Sequence, residues 1–481
     1  MLSLSKIFPQ QPVFKVFAAI TVISLMAAVA LQSVIPVAIP AALLLFYVAI
    51  IDFRYIFFIL IASIPLSVEY QLTDSFGTDL PTEPLMIGLM GIYIIYSAKN
   101  GFVLRGSVFL KHPITLLVLL TFVWAVVATI NSLDTYISLK YLFAKIWYIV
   151  TFYFLGSLML RRKSDFKRFF WCVFIPLSIA VIITTFRHAM TDFSFKDVNY
   201  VMQPMFRNHV SYACIISIFL PFVFLALTWI PRGSFLKWLI IGSIFLFLVA
   251  IQLSFTRAAY GAVIGAVGFY FVIKWKLTKY VVAASIIFII CFVAYITHND
   301  KYLDYEPRYE KAISHENFDN LLSATARGED ISTMERVYRW VAGFQMVGKR
   351  PLTGFGPNNF FNSYKSYTVT NFKTYVSDNT EGSTVHCYYL LMAIEQGIPG
   401  MLLFFTLIFT VLLRGERIYH QAREKWQQHV TMAALLSMTI ILILILINDL
   451  IETDKVGSFF YMNLAILVNM DLKNNKLFSG N

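Results

Sequence analysis

Fourteen apolar stretches divide this chain, at roughly 14–31, 34–51, 55–67, 84–97, 113–131, 137–160, 168–187, 209–230, 235–254, 258–273, 280–297, 388–413, 430–448 and 456–471. About 20 apolar residues of helix cross a bilayer core, so the shorter stretches leave twelve to fourteen crossings. Lipid offers no hydrogen bonds to the backbone, which restricts spanning segments to helices or a closed barrel. The stretches are continuous rather than alternating, which favours helices. The expected fold class is therefore all-α: a polytopic membrane protein with one large outer loop. Composition agrees, with 58% hydrophobic and only 14% charged residues.

The net charge of +12 would suggest nucleic acid in a soluble protein. Here the cations sit in alternate connections: Lys99, Arg105 and Lys111; Arg161, Arg162, Lys163, Lys167 and Arg168; Lys274, Lys276 and Lys279; Arg414, Arg417, Arg423 and Lys425. That pattern marks a cytoplasmic face, points to membrane lipids and gives no reason to expect nucleic acid. With fourteen crossings both termini are cytoplasmic, and Asp74, Asp79, Glu83, Asp449, Glu452 and Asp454 face outward. The first apolar stretch is longer than a signal-peptide core and reads as a membrane helix. Cys172, Cys214, Cys291 and Cys387 lack paired CxxC spacing, so they suggest neither a disulfide framework nor a zinc site.

Three regions follow: N-terminal membrane helices over 1–297, a polar outer loop over 298–387, and C-terminal membrane helices over 388–481. A loop of that length on a rigid scaffold is where a site is expected. Within it, Thr333 to Val347 predicts an amphipathic helix, with Val337, Trp340, Val341 and Phe344 at helical spacing. Pro351, Gly354, Gly356 and Pro357 enforce turns. A second helix is expected from about Thr384 towards Glu395, carrying His386 at the membrane boundary and interrupted by Gly397, Pro399 and Gly400.

His386 is a candidate proton acceptor, although a lone His is more often structural. Arg207 and Arg257 stand at the outer ends of their helices, against the inside bias, where guanidinium forks suit a lipid pyrophosphate. Snorkelling to ordinary headgroups would explain each equally well. Lys145 lies inside an apolar span and needs a partner or a cavity, whereas Lys140 has a route outward. Arg336 and Arg339 are one helical turn apart, and a solvated helix face would also account for them. Among the outer carboxylates, including Glu69, no spacing fits a metal template, so no metal and no cofactor is expected.

The stretch His386-Cys387-Tyr388-Tyr389-Leu390, followed by Glu395-Gln396-Gly397-Ile398-Pro399-Gly400, resembles the signature of the O-antigen ligase family, the WaaL-like or Wzy_C superfamily. Arg336 with Trp340, the turn Pro351-Leu352-Thr353-Gly354-Phe355-Gly356, and the Thr256-Arg257 pair resemble further family elements. The likeness covers about residues 205–415. Cys387 departs from the family's usual polar residue, and the number of spans exceeds its usual twelve. The resemblance implies transfer of a glycan from undecaprenyl pyrophosphate to an acceptor hydroxyl at the outer face of the bacterial inner membrane, without metal. It implies His386 as general base and Arg257 and Arg336 as pyrophosphate ligands; Arg207 and Arg339 are added from position and charge.

A lipid A core is the first acceptor to consider. A Wzy-type polymerase acting on a glycan and a protein O-oligosaccharyltransferase would show much the same residues. A rival of another class is a transporter of polysaccharide or lipid-linked sugar, which predicts inverted repeats around a midplane site; none is visible here.

Overall fold

The computed structural model describes residues 11–32, 35–73, 76–99, 108–305, 331–369 and 382–475, with the single positions 372, 377 and 379. Asp74, Arg105 and much of the central loop thus lie outside the described residues. The chain forms two compact units, 1–60 and 61–481. The first holds α1 (Gln11–Ala30) and most of α2 (Ala38–Ser63). In α2 helical geometry breaks at Asp52 (φ −160°, ψ 106°), so two apolar stretches form the two arms of one element.

The second unit opens on a hairpin of β1 (Val68–Thr73) and β2 (Phe76–Leu80), with Glu69 paired to Asp79. Helices follow: α3 (Thr82–Lys99), α4 (Pro113–Ile130), α5 (Thr135–Tyr148), α6 (Lys163–Ala189), α7 (His209–Ala226), α8 (Phe235–Leu253), α9 (Arg257–Lys274) and α10 (Thr278–Thr297). The loop contributes α11 (Ile331–Lys349), and α12 (Tyr388–Gln421), α13 (Lys425–Leu444) and α14 (Asp454–Asn474) complete the bundle. Each of the fourteen apolar stretches is helical over most of its described residues. Among the described residues nine helices are long and apolar enough to cross a membrane by length and composition. The all-α polytopic expectation holds.

The bundle is built around α14, which is buried on every side. A helix without a solvated face belongs in the interior. Its polar side chains reach neighbouring helices: Asn463 Nδ2 donates to Ser437 Oγ at 2.9 Å, and Asn469 Nδ2 to the carbonyls of Ser157 and Leu160 at 2.9 and 2.8 Å. Hydrogen bonds of this kind join helices where apolar burial supplies little discrimination.

The basic connections gather at one end. His112 and Arg414 both meet Asp471, at 3.0 and 3.2 Å; Glu416 accepts from the Thr278 hydroxyl at 2.7 Å; and the Phe166 and Trp426 rings lie 5.9 Å apart. The hairpin, the loop turns and the α13–α14 connection meet other parts of the bundle. Ser67 and Thr82 donate to Asp454, and Leu133 N donates to Phe355 O at 3.1 Å.

The element α12 is not one rod. Residues 16 apart in a straight helix are roughly 24 Å apart. Yet the rings of Tyr388 and Phe404 lie 5.1 Å apart, and Tyr389 stacks on Phe405 at 5.1 Å. The chain doubles back at Gly397 (φ +71°, ψ 175°), giving a short arm over 388–396 and a long arm over 398–421. The interruption was expected from the sequence; a helical start near Thr384 was not met. Helix begins at Tyr388 because His386 has φ +52°, outside the helical region.

Candidate active site

The glycines of the loop and of α12 meet in one seam. Phe355 N donates to Ile394 O and Gly356 N to Glu395 O, both at 2.9 Å, while Ile398 N donates to Pro351 O at 2.8 Å. A Cβ on Gly354 would lie 2.5 Å from the backbone of Ile394 and Glu395, and one on Gly397 would lie 2.1 Å from Leu352 O. Both have positive φ. The Pro-Leu-Thr-Gly-Phe-Gly turn and the Glu-Gln-Gly break are thus two halves of one joint, which fixes the short arm of α12 and the segment leading into it.

That leading segment carries His386, and α11 holds it residue by residue. Arg339 Nη1 donates to Thr384 O at 3.3 Å, and Trp340 Nε1 to Val385 O at 3.0 Å. The Thr384 hydroxyl donates to Asp449 Oδ2 and accepts the His386 backbone N–H at 3.4 Å. From the turn after α13 the carbonyls of Ile445 and Asn448 accept Tyr388 N at 3.0 and 3.2 Å. A non-glycine residue at φ +52° is sparsely populated and persists where its surroundings over-determine it, a situation that concentrates at functional sites.

His386 Nδ1 lies 3.9 Å from Asp449 Oδ1, beyond hydrogen-bond reach, and is buried without a hydrogen-bond partner among the described residues. Burial, then the charges of Arg339 and Arg336, push the imidazole down to about 3, so it is neutral at ordinary pH. Burial also holds the Asp449 carboxyl above the usual range, and Arg207 acts on it in the opposite direction.

Beside this segment a cavity of about 970 Å³ opens between five parts of the chain. The connection before α7 gives Ser194, Phe195 and Lys196. Helix α7 gives His209, α9 gives Arg257 behind its N-cap Thr256, α11 gives Arg336 and Trp340, and the turn after α13 gives Ile447 and Asn448. His209 Nδ1 is 2.8 Å from Ser254 O and 3.2 Å from Thr256 Oγ1, which ties α7 to the turn that presents Arg257. A volume of that size accommodates a drug-sized ligand or larger.

Of the residues singled out from sequence, Arg257 and Arg336 share this cavity. Arg207 is exposed and near enough to Asp449 to act on it, but is not among the lining residues. Arg339 is buried, with Nη2 3.3 Å from Glu335 Oε2 as well as its bond to Thr384 O. Its position is that of a support. Asp449, Glu452 and Asp454 diverge: Asp449 faces His386, Glu452 meets Lys145, and Asp454 holds Ser67 and Thr82. Among the described residues no three His, Cys, Asp or Glu side chains come together as metal ligands. Lys196 and His209 were not legible as site residues, because an exposed Lys and a helix-initiating His carry no spacing signal.

These features define a multi-pass helical membrane protein with a cation-lined cavity beside a constrained histidine. Residues 242–405 match the family model of O-antigen ligase. The resemblance carried by Arg257, Arg336, the glycine turns and His386 is thereby shown over that stretch, and the family's members are glycosyl-transferring enzymes. No curated protein matches the chain.

Proposed function

We propose that the protein transfers a glycan from undecaprenyl pyrophosphate to an acceptor hydroxyl, with a lipid A core first among acceptors, at the periplasmic face of the inner membrane. The observation that carries the reading is the single cavity into which α9 and α11 bring Arg257 and Arg336 beside the His386 segment. The end holding the basic connections is then cytoplasmic.

In this reading the acceptor hydroxyl gives its proton to His386 Nε2, since Nδ1 faces Asp449. The oxygen bonds to the anomeric carbon as that carbon's bond to the pyrophosphate oxygen breaks, inverting the centre. The electron pair leaves on undecaprenyl pyrophosphate. Arg257 and Arg336 stabilise the charge developing on the phosphate oxygens, which guanidinium forks match bidentately. The bound anion also offsets the arginine field that holds the imidazole down, so His386 becomes a stronger base once the donor is in place. Arg207 and Arg339 support the site from its edges.

The test is transfer by purified protein from an undecaprenyl-pyrophosphate glycan, offered lipid core, free glycan or protein acceptors, with wild type compared to His386→Ala. Loss of transfer in a folded variant is expected. Full activity in His386→Ala would remove the base assignment, and the acceptor that takes up glycan separates ligase, polymerase and protein-glycosylating activities. Movement of intact donor across vesicles without transfer would favour a transporter.

A further inference from the structure

His386 and Asp449 come from different segments, and something must set their separation. Three residues past Asp449, Glu452 Oε1 collects donors from two helices. Lys145 Nζ is 2.7 Å away, Tyr388 OH 2.7 Å and Tyr141 OH 3.1 Å. Lys145 Nζ also reaches Tyr388 OH at 3.3 Å and lies 5.3, 6.0 and 5.9 Å from the ring centroids of Tyr141, Tyr388 and Tyr461. Tyr388 stands two residues after His386. One carboxylate oxygen therefore joins α5, the first turn of the short arm of α12 and the connection that carries Asp449.

A charged residue in an apolar helix always needs a partner, so an ion pair alone would be unremarkable. This one is specific in where it attaches: to the sequence neighbours of both members of the His386–Asp449 pair. Nor is it a second substrate site, because the adjoining hole between Lys145, Tyr388 and Phe404 measures about 30 Å³, room for a water rather than a sugar.

We infer that Lys145, Glu452 and Tyr388 form a brace that fixes the separation of His386 and Asp449, acting as positioning residues for the transfer reaction. The inference rests on His386 being the base proposed above. In the intact brace Tyr388 OH and Lys145 converge on Glu452, so the short arm and the Asp449 connection move as one body. Removing any of the three leaves the two segments joined only through Thr384–Asp449 and the Tyr388 backbone N–H, a looser tie.

The experiment uses full-length protein in nanodiscs, with wild type compared to Lys145→Met, Glu452→Gln and Tyr388→Phe. One readout is independent of activity: the N-ethylmaleimide labelling rate of half-buried Cys387, beside His386, in each variant relative to wild type, followed by peptide mass spectrometry. The other is the split between kcat and donor KM. Faster labelling of Cys387, at least fivefold, is expected in Lys145→Met and Glu452→Gln, with kcat at least tenfold lower and KM within twofold of wild type. Tyr388→Phe removes one hydroxyl and keeps its ring on Phe404, so folding is retained; there a threefold change in both labelling and kcat is expected. Unchanged Cys387 labelling in Tyr388→Phe, or unchanged kcat in variants that label faster, overturns the brace. If variants label faster while wild type transfers no glycan to any acceptor, the brace's hold on the segment is supported and the transferase reading fails by itself.

Discussion

The His386 imidazole and the Asp449 carboxylate face each other at 3.9 Å, Nδ1 to Oδ1, with the Thr384 hydroxyl linked to both residues. The pair is poised rather than closed. A proton arriving at Nε2 would make the imidazole cationic and draw Asp449 into a charge-assisted hydrogen bond. The same proton is opposed first by burial and then by the charges of Arg339 and Arg336, and that opposition sets the pH behaviour.

Because burial and the neighbouring arginines hold His386 at about 3, kcat/KM for transfer should stay flat from pH 8 down to pH 5. A base is active when neutral, and a depressed value keeps it neutral as pH falls. An imidazole at its ordinary value near 6.5 would instead lose roughly thirtyfold at pH 5. The profile of kcat, which reports the loaded site, should fall at higher pH than that of kcat/KM. A kcat/KM limb near 6.5 would contradict the burial and arginine field described here.

Arg257→Lys and Arg336→Lys should each lower kcat/KM by about 10- to 100-fold, the worth of roughly 1.5–3 kcal/mol for a charge-assisted hydrogen bond lost in the transition state. Lysine keeps the charge but not the fork. Steady-state kinetics on both variants, with inorganic pyrophosphate as a competing anion, would check this. Pyrophosphate should inhibit the wild type more strongly than either variant.

Arg339→Met should behave differently. Its guanidinium is buried between Glu335 and the Thr384 carbonyl. Removing it takes a buried guanidinium away from the Glu335 carboxylate and the Thr384 carbonyl, and breaking a buried pair costs on the order of 3–5 kcal/mol. A lower thermal midpoint in detergent with little change in donor KM is expected. A large KM change at unaltered stability would instead make Arg339 a donor ligand.

Gly397→Ala should disrupt folding outright. The position has φ +71°, and a Cβ there would stand 2.1 Å from Leu352 O. Strain in that region costs about 1–3 kcal/mol before the backbone clash is added. Loss of the monodisperse species in size-exclusion chromatography checks it. Gly348→Ala, with open space around its Cβ, should be tolerated.

Helix positions were legible because lipid leaves a chain so few options: each apolar stretch became helix over most of its described residues. The loop helix was equally plain, since Val337, Trp340, Val341 and Phe344 mark one face. Arg257 and Arg336 were found through motif likeness and their chemistry. The partners of the outer carboxylates were not legible, because side chains far apart in sequence meet only through the packing of α5, α12 and α13. Asp449 and Glu452 thus read as a loose acidic group when they serve a histidine and a lysine. The reversal within α12 was half visible: Gly397 and Pro399 announced a break, while its angle depends on the Leu352 and Pro351 carbonyls that receive it.

That reversal turns the short arm of α12 into a ruler. Nine residues at 1.5 Å each hang the histidine roughly 13 Å from the Gly397 seam. Its opposite end is pinned beside Phe404, on a helix that itself crosses the bilayer. If the protein acts as proposed, arm length, rather than any property of the imidazole, sets the level in the leaflet at which a lipid-borne donor is met. Chains that share the motif but differ in the number of residues between histidine and glycine would work at different depths.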